Sequence, residues 1–224
     1  GEIFAYTPTS INYWHLYNFD NSKKNYSSPS KILISSNDGY KLLKEQYKNK
    51  NIKIHKVESL WYNYLLDIKP INTHNKKFIL IIGDYSPKRN YKIFNIIKNS
   101  ALRKNKNILF KPHPHDVKKY NLKNIRVTKK NNEYFFKNSS LVISPGSTAA
   151  ILEYLYFGNK VFVYDDPNDL DVSPIKHLNY QFKFKILKEF NKLLKANFKK
   201  NKIINNFKNY YVLDKGLKKW KKLL

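Results

Sequence analysis

Short apolar runs alternate with segments of helical periodicity along most of this chain. Residues 31–35, 78–83, 107–111, 141–144 and 160–164 are apolar runs of strand length, which are typical of buried parallel strands. Between these runs, apolar residues recur three and four positions apart, as they do in amphipathic helices. The alternation predicts an α/β fold with a doubly wound parallel sheet and helices on its faces.

Changes in this pattern divide the chain into four parts. Residues 1–66 are predicted to be the end of an N-terminal α/β lobe, and the polar, aperiodic residues 67–76 are predicted to be a linker. Residues 77–185 are predicted to form a Rossmann-like, doubly wound domain with at least five parallel strands. Residues 186–224 are predicted to form basic amphipathic helices.

The net charge of +27 is high, but the residue types argue against a nucleic-acid partner. Only three of the 43 basic residues are arginines, namely Arg89, Arg103 and Arg126, and nucleic-acid readers depend on arginine for bidentate contacts. We therefore expect no nucleic acid and keep a basic nucleic-acid-binding domain only as an alternative. The chain has no methionine, so we expect it to begin inside a longer protein or after a processed segment.

The chain has no cysteine, which excludes a disulfide framework, a thiolate metal site and a cysteine nucleophile. No apolar run approaches the roughly 20 residues of a membrane span, and we expect a cytoplasmic protein. Residues 183–224 hold fourteen lysines and two acidic residues. A basic amphipathic helix here would give peripheral contact with the inner face of the cytoplasmic membrane. The alternative is helices that pack on the sheet and expose lysine to water, which apolar stripes at helical spacing favour.

The first segment with chemical significance is Lys-Pro-His-Pro at residues 111–114, directly after a predicted strand. Ligands bind at the carboxyl ends of strands in doubly wound folds, and the flanking prolines restrict the backbone around His113. An imidazole beside the ammonium of Lys111 suits a phosphate group. The alternative is an exposed histidine in a turn, which is the interpretation we favour for His115.

The second segment is Ser-Pro-Gly-Ser-Thr-Ala-Ala at residues 144–150, between a predicted strand and a predicted helix. Ser147 or Thr148 is placed to cap the helix, and Gly146 lets a ligand approach the backbone. These hydroxyls, that of Ser144 and the first N–H groups of the helix predict an anion site. An ordinary capped helix is the alternative. We expect the two segments to follow adjacent strands and converge on one crevice.

Together, these two segments resemble those in the C-terminal, donor-binding domain of GT-B-fold bacterial glycosyltransferases. The resemblance is to enzymes that build capsules, lipooligosaccharides and other surface glycans, including the bacterial sialyltransferases with His-Pro and serine motifs. Residues 5–16, 29–36 and 57–66 resemble the end of the N-terminal domain in such a surface-carbohydrate family, and residues 169–175 resemble its Ser-Pro segment. The resemblance implies a GT-B-type fold and glycosyl transfer.

The resemblance also implies roles for individual residues. The phosphate of a nucleotide-sugar donor would be bound by residues of both motifs: Lys111, His113, Ser144, Gly146, Ser147 and Thr148. Glu153, on the following helix, would hold the donor ribose. Ser173 would line the same crevice, with a plain proline-linked turn as the alternative.

The resemblance gives two candidate catalytic residues. His113 would stabilise the leaving phosphate. Inverting transfer also needs a base for the acceptor hydroxyl, and related sialyltransferases use an Asp/Glu-Asp-Gly motif in the N-terminal domain. Asn37-Asp38-Gly39 is the nearest match and makes Asp38 the candidate base, although a turn that caps a helix explains it equally. The alternatives to Asp38 as the base are a residue upstream of residue 1 and Asp84, which follows a predicted strand.

The implied function is transfer of a sugar from a nucleotide-activated donor to a bacterial surface glycan or glycolipid, by inversion. CMP-sialic acid is one candidate donor, and UDP-, GDP- and TDP-linked sugars are equally open. Asp165 and Asp166 precede a proline turn and do not form a GT-A-type metal motif, so we expect no metal and no other cofactor. The alternative enzyme is a polyol-phosphate transferase of the teichoic-acid type, which also carries a His-Pro segment and a Ser-Thr loop on a GT-B fold.

Overall fold

The computed structural model describes most of the chain: residues 2–7, 29–48, 52–69, 77–176, 180–196 and 210–223. The chain divides into two compact units. The first contains residues 1–69 and 205–224, and the second contains residues 70–204. The boundary at residue 69 falls inside the predicted linker, most of which lies outside the described residues.

The first unit has a three-stranded parallel sheet in the order β1-β2-β3, formed by β1 (Phe4–Thr7), β2 (Lys31–Ile34) and β3 (Lys53–Lys56). Helix α1 (Asn37–Gln46) follows β2, and a 3-10 helix spans Asn63–Leu66. Helix α1 buries Leu43 against the β2 residues Ile32 and Ile34. This packing gives the unit an apolar core of its own.

The second unit has a six-stranded parallel sheet in the order β6-β5-β4-β7-β8-β9. Its strands are β4 (Phe78–Ile82), β5 (Ile108–Lys111), β6 (Ile125–Val127), β7 (Ser139–Pro145), β8 (Val161–Tyr164) and β9 (Lys183–Phe184). Its helices are α2 (Pro87–Asn99), a 3-10 helix (Ala101–Lys104), α3 (Asn132–Asn138), α4 (Ala150–Tyr156) and α5 (Leu187–Lys195). The chain runs outward from β4 to β6 and then returns to the other side of β4 at β7. This is the doubly wound arrangement.

The topology confirms the predicted α/β fold with a doubly wound parallel sheet. The predicted helix end at Gly158 is also present, because this glycine follows the C-cap residue Phe157 of α4 and has a φ of 69°, the left-handed conformation that ends many helices. Among the described helices, none combines the length and apolar character needed to cross a membrane.

Helix α5, in the first part of the basic C-terminal region, packs on the sheet of the second unit. Phe190 of α5 is fully buried, with its ring centroid 5.9 Å from that of Phe162 in β8 and 4.8 Å from that of Phe184 in β9. The apolar stripe of this helix therefore packs on the sheet, as the alternative interpretation of the sequence expected. Phe198, which continues the stripe in the sequence, lies outside the described residues.

Residues 210–223 belong to the first unit. The predicted C-terminal segment, residues 186–224, is therefore divided between the two units. The N–H of Val212 donates to the carbonyl of Ser35 at 2.9 Å, and the N–H of Ser59 donates to the carbonyl of Val212 at 2.8 Å. The last helix, α6 (Lys218–Leu223), follows. These backbone partners lie far away in the sequence, which is why local periodicity did not reveal them.

Candidate functional site

The strand order reverses between β4 and β7, so the carboxyl ends of these two strands, with that of β5 beside β4, form the topological switch point of the second unit, where doubly wound folds bind ligands. Strand β4 lies between β5 and β7, so the prediction that the two motifs follow adjacent strands was wrong. Neighbouring strands are about 4.8 Å apart, which separates the two motif-bearing ends by roughly 10 Å. A ligand that contacts both motifs must pass over Gly83, the residue after β4.

Gly83 allows the His-Pro loop to approach the end of β4 closely. Its N–H donates to the carbonyl of Lys111 at 2.8 Å. A Cβ atom at this position would lie 2.9 Å from the backbone nitrogen of His113 and 3.0 Å from the ring of Phe110. Because Gly83 has no side chain, the backbone of His113 can lie this close to the end of β4. Sequence analysis missed this role of Gly83.

His113 presents a hydrogen-bond donor at the end of β5. Its side chain is partly exposed, and its Nδ1 accepts the N–H of His115 at 3.2 Å. The neutral imidazole then carries its proton on Nε2. A donor at Nε2 has the polarity that a phosphate oxygen requires, whereas exposed His115 acts here through its backbone.

Lys111 is partly buried, and the charge of Glu153 acts on its ammonium. Burial lowers the pKa of Lys111, and the negative charge of Glu153 opposes this shift. The Glu153 carboxylate also accepts a hydrogen bond of 3.1 Å from the side-chain amide of Asn132. Within the described parts of the chain, Lys111 forms no salt bridge.

Two predicted donor-binding residues are mostly internal. Ser144 is fully buried and its hydroxyl donates to the carbonyl of Pro145 at 3.2 Å, so its burial contradicts a direct ligand contact. Ser173 is 7% exposed, and its Oγ accepts the N–H of Ile175 at 3.3 Å, as in the proline-linked turn given as its alternative. Ser173 lies next to Gly146, because a Cβ atom built on Gly146 would be 3.7 Å from the Cβ of Ser173.

The loop between β7 and α4 presents backbone donors and lacks the predicted side-chain cap. Helix α4 begins at Ala150, and its N-cap residue, Ala149, has no capping side chain. Neither Ser147 nor Thr148 caps it, although Thr148 Oγ1 accepts the N–H of Ala150 at 3.4 Å. In the described structure, the N–H groups of residues 147–149 meet no protein acceptor. Successive N–H groups of this kind form concavities that bind anions.

A buried carboxylate, Asp84, joins the ends of β4 and β7. Asp84 is 2% exposed, and its Oδ1 accepts the N–H of Ser86 at 2.7 Å. Its Oδ2 accepts the guanidinium of Arg89 at 3.0 Å and the hydroxyl of Ser147. The Ser147 hydroxyl thus donates to Asp84 in this structure, and its contact with a ligand stays a prediction.

Arg89 is a second site residue that sequence analysis missed. Its Nε donates to Asp169 Oδ2 at 2.8 Å, so the guanidinium bridges Asp84 and Asp169. Burial opposes the charge of Arg89, but the bonds to Asp169 and Asp84 outweigh burial and raise its pKa. One signal was present, because Arg89 is one of three arginines in a lysine-rich chain and arginine suits bridging of carboxylates.

Asn90 connects this cluster to the His-Pro loop. It is fully buried, and its side chain accepts the N–H of Asp84 at 2.7 Å and donates to the carbonyl of Asp84 at 2.9 Å. The same amide donates to Asp116 and to the hydroxyl of Tyr120, both at 3.1 Å. Burial, followed by the bond to Asp116, raises the pKa of Tyr120 to about 12.

The acidic residues after β8 serve the protein's own structure. Asp169 and Asp171 have an Asp-x-Asp spacing that our sequence analysis overlooked, but Asp169 pairs with Arg89 and Asp171 accepts the N–H of Ser173 at 3.0 Å. Asp166 pairs with Lys92 at 2.6 Å. No group of three metal-ligating side chains occurs among the described residues.

Asp38 belongs to the first unit, whereas the other predicted site residues belong to the second. It lies in the first turn of α1, where a carboxylate interacts favourably with the helix dipole. Ser36 caps this helix by accepting the N–H of Gly39 at 3.2 Å. The cap of this helix is therefore Ser36 and not the Asn-Asp-Gly segment, which lies in the first turn, and the role of Asp38 as base stays a prediction.

No protein-family model and no curated protein sequence matches the chain, but solved structures do. UGT89C1 of Arabidopsis thaliana complexed with UDP matches 99% of this chain and 65% of its own, with a TM-score of 0.57 and 11% identity. UGT89C1 complexed with quercetin matches 92% of this chain and 60% of its own, with a TM-score of 0.52 and 8% identity. This chain therefore spans 60–65% of the length of these structures. At such identities the likeness concerns the fold alone, and the chain has a Rossmann-like fold of the GT-B type.

Proposed function

We propose that the chain binds a nucleotide-sugar at the switch point of the second unit and transfers its sugar to a glycan acceptor. The observation that carries this proposal is the set of donors around Gly83: the Nε2–H of His113, the ammonium of Lys111 and the N–H groups of residues 147–149. Phosphate oxygens are bound by such cations and backbone donors. The fold supports the proposal, because the matching plant structure was solved in complex with UDP.

In the proposed reaction, an acceptor oxygen attacks the anomeric carbon while the bond from that carbon to the donor phosphate oxygen breaks, which inverts the configuration. Negative charge grows on the departing phosphate, where the donors of His113 and Lys111 stabilise it. Asp38 is the proposed base for the acceptor proton, and Glu153 is proposed to accept from the donor ribose. Because the chain itself supplies positive charge at the phosphate, no metal or other cofactor is included.

The motif resemblance supports a finer assignment of substrates. We propose that the acceptor is a bacterial surface glycan or glycolipid. We also propose that the protein is cytoplasmic and works at the inner face of the membrane. CMP-sialic acid is the first donor to test, because the His-Pro and serine motifs resemble those of sialyltransferases. Analysis of products formed from nucleotide-sugars and from nucleotide-activated polyols would distinguish glycosyl transfer from polyol-phosphate transfer.

A thermal-unfolding screen with CMP, UDP, GDP, TDP and ADP tests the donor site. One nucleotide at 100 times its Kd should stabilise the wild type by about 2.7 kcal/mol. His113→Ala should remove most of this stabilisation because it deletes the Nε2 donor, whereas Asp38→Asn should retain it and lose transfer activity.

His115→Ala is the matched control, because the N–H that His115 donates to His113 belongs to the backbone and survives the substitution. We expect it to respond to the nucleotide as the wild type does. A nucleotide that stabilises His113→Ala as much as the wild type would contradict the proposed site.

We further propose that the first unit contacts an anionic membrane through α6 and its surroundings. Trp220 of α6 packs edge-on against Tyr6 at 5.2 Å, and its Nε1 donates to the carbonyl of Glu58 at 2.9 Å. The helix therefore uses Trp220 for packing and leaves Lys218, Lys219, Lys221 and Lys222 exposed. Trp61, which is 65% exposed, lies three residues after Glu58, close enough to add an interfacial aromatic side chain.

Cosedimentation with vesicles of phosphatidylcholine and phosphatidylglycerol tests this contact. Replacing the four exposed lysines of α6 with glutamate should weaken binding by at least about tenfold, because each lysine near an anionic surface contributes about 1 kcal/mol. High salt should weaken wild-type binding in the same direction.

Replacing exposed Lys188, Lys192 and Lys195 of α5 with glutamate is the control on the second unit, and it lowers the net charge by six units where the α6 variant lowers it by eight. This variant should bind vesicles nearly as the wild type does. Equal binding by the α6 variant and the wild type would exclude the proposed contact.

A further inference from the structure

A second cavity lies in the second unit, at the opposite edge of the sheet from the switch point. It has a volume of about 500 Å³ and lies between α2, the 3-10 helix Ala101–Lys104 and the chain that enters β6. Ile108 and Ile125, the first residues of β5 and β6, line it. Since the first residues of parallel strands lie at the edge away from their carboxyl ends, this cavity is separate from the candidate donor site.

The cavity exists because the connection from β5 to β6 contains no helix. Residues 112–124 are described throughout and consist of turns and irregular chain. Parallel strands are usually joined by a helical crossover, and successive right-handed crossovers in one direction place their helices on the same face of a sheet. Helix α2 therefore has no neighbouring helix over β6, and the space beside it stays open.

The floor of the cavity is apolar and its rim is basic. Buried Phe94, Ile97 and Ile108 and partly buried Leu102, Leu122 and Ile125 supply the apolar lining. Three exposed cations stand at the rim, namely Lys98, Arg103 and Lys123, and no acidic residue lines the cavity. None of the three cations forms a salt bridge within the described ranges. The site thus offers apolar contact and uncompensated positive charge together.

We propose that this cavity binds an amphipathic anion, namely an apolar chain that ends in a phosphate group. The apolar chain lies on the floor formed by α2 and the start of β5, and the phosphate lies at the rim. Arg103 supplies the planar fork of donors that suits a phosphate, and Lys98 and Lys123 add charge. The volume and mostly apolar lining are those of small-molecule sites in general. The proposal does not depend on the function assigned to the switch point.

Isothermal titration calorimetry of the whole chain with octyl phosphate, below its micelle concentration, tests the proposal. Inorganic phosphate and octanol are the two control ligands, because each carries one half of the octyl phosphate probe. We expect saturable binding of one octyl phosphate per chain, at least about tenfold tighter than either half. Absence of saturable binding would overturn the proposal, and so would inorganic phosphate or octanol binding as tightly as octyl phosphate.

Two variants place the binding in this cavity. Arg103→Glu should weaken octyl phosphate binding by at least about tenfold because it reverses the charge at the rim, and Leu122→Trp should weaken it similarly by filling the floor. Lys188→Glu, on the exposed surface of α5, is the charge-matched control and should bind normally. His113→Ala should also bind normally, which separates this site from the proposed donor site.

Thermal unfolding and size-exclusion chromatography complete the test. Leu122→Trp should keep the folded state and the molecular mass of the wild type while losing the ligand. Equal binding by Arg103→Glu, Leu122→Trp and the control would overturn the proposal. A wild-type dimer that Leu122→Trp dissociates would also overturn it, because the cavity would then hold a second copy of the chain.

Discussion

Replacing Asp84 with alanine is expected to lower the free energy of unfolding by about 3–5 kcal/mol. The side chains of Asp84 and Arg89 are 1% and 14% exposed, so the substitution leaves a largely buried guanidinium without its inner partner. The Ser147 hydroxyl and the N–H of Ser86 lose their acceptor in the same step, which adds a desolvation cost. Urea unfolding followed by circular dichroism measures the change.

Asp169→Ala is the matched control, because it removes the other carboxylate on Arg89. Asp169 is 40% exposed, so its loss should cost no more than about 1 kcal/mol. The bond from Arg89 holds the pKa of Asp169 below its ordinary value. Its contribution should therefore be complete above about pH 4 and be lost as the pH falls through the lower folded-state pKa. Equal losses in the two variants would show that Asp84 is not the main support of Arg89.

Gly83→Ala is expected to destabilise the protein by about 1–3 kcal/mol and to weaken nucleotide binding by at least about tenfold. The new Cβ would lie 2.9 Å from the backbone nitrogen of His113, and backbone cannot rotate away as a side chain can. The His-Pro loop must shift, which moves the His113 donor from its place over β4. Urea unfolding and calorimetric titration with the nucleotide found in the thermal screen measure the two effects.

Gly146→Ala is the comparison for Gly83→Ala, because it also adds a methyl group at the end of a strand but meets less crowding. Its Cβ would lie 3.3 Å from the carbonyl oxygen of Tyr164 and 3.7 Å from the Cβ of Ser173, so it requires a smaller adjustment than Gly83→Ala. We expect a smaller loss of stability. Gly83→Ala with wild-type stability and nucleotide affinity would contradict the role assigned to this close approach.

The buried cluster also determines which cation remains available to a phosphate. Arg89 lies at the switch point, but its charge is shared between Asp84 and Asp169. Lys111, by contrast, forms no salt bridge among the described residues, and the negative charge of Glu153 acts on it. The contact between Asp84 and Ser147 also holds the loop that carries the N–H groups of residues 147–149. In the proposed reaction, such preorganised donors would stabilise developing charge without reorganising.

The amino-acid sequence by itself determined most of the local elements of the second unit. Continuous apolar runs identified β4, β5, β7 and β8, because parallel strands covered on both faces exclude polar side chains. The same pattern placed the His-Pro and Ser-Thr segments at the ends of β5 and β7. It also located the end of α4 at Gly158, where the φ of 69° favours glycine. Each of these features depends on neighbours in the chain.

The tertiary structure decided how these elements meet. It placed β4 between the two motifs, joined Asp84 to Ser147 and, through Arg89, to Asp169, and returned residues 210–223 to the first unit. It also buried Ser144 and left the start of α4 without a side-chain cap. Strand order, buried ion pairs and the use of a hydroxyl depend on groups that lie far apart in the sequence. Local periodicity carries no information about such partners, and only packing in three dimensions selects them.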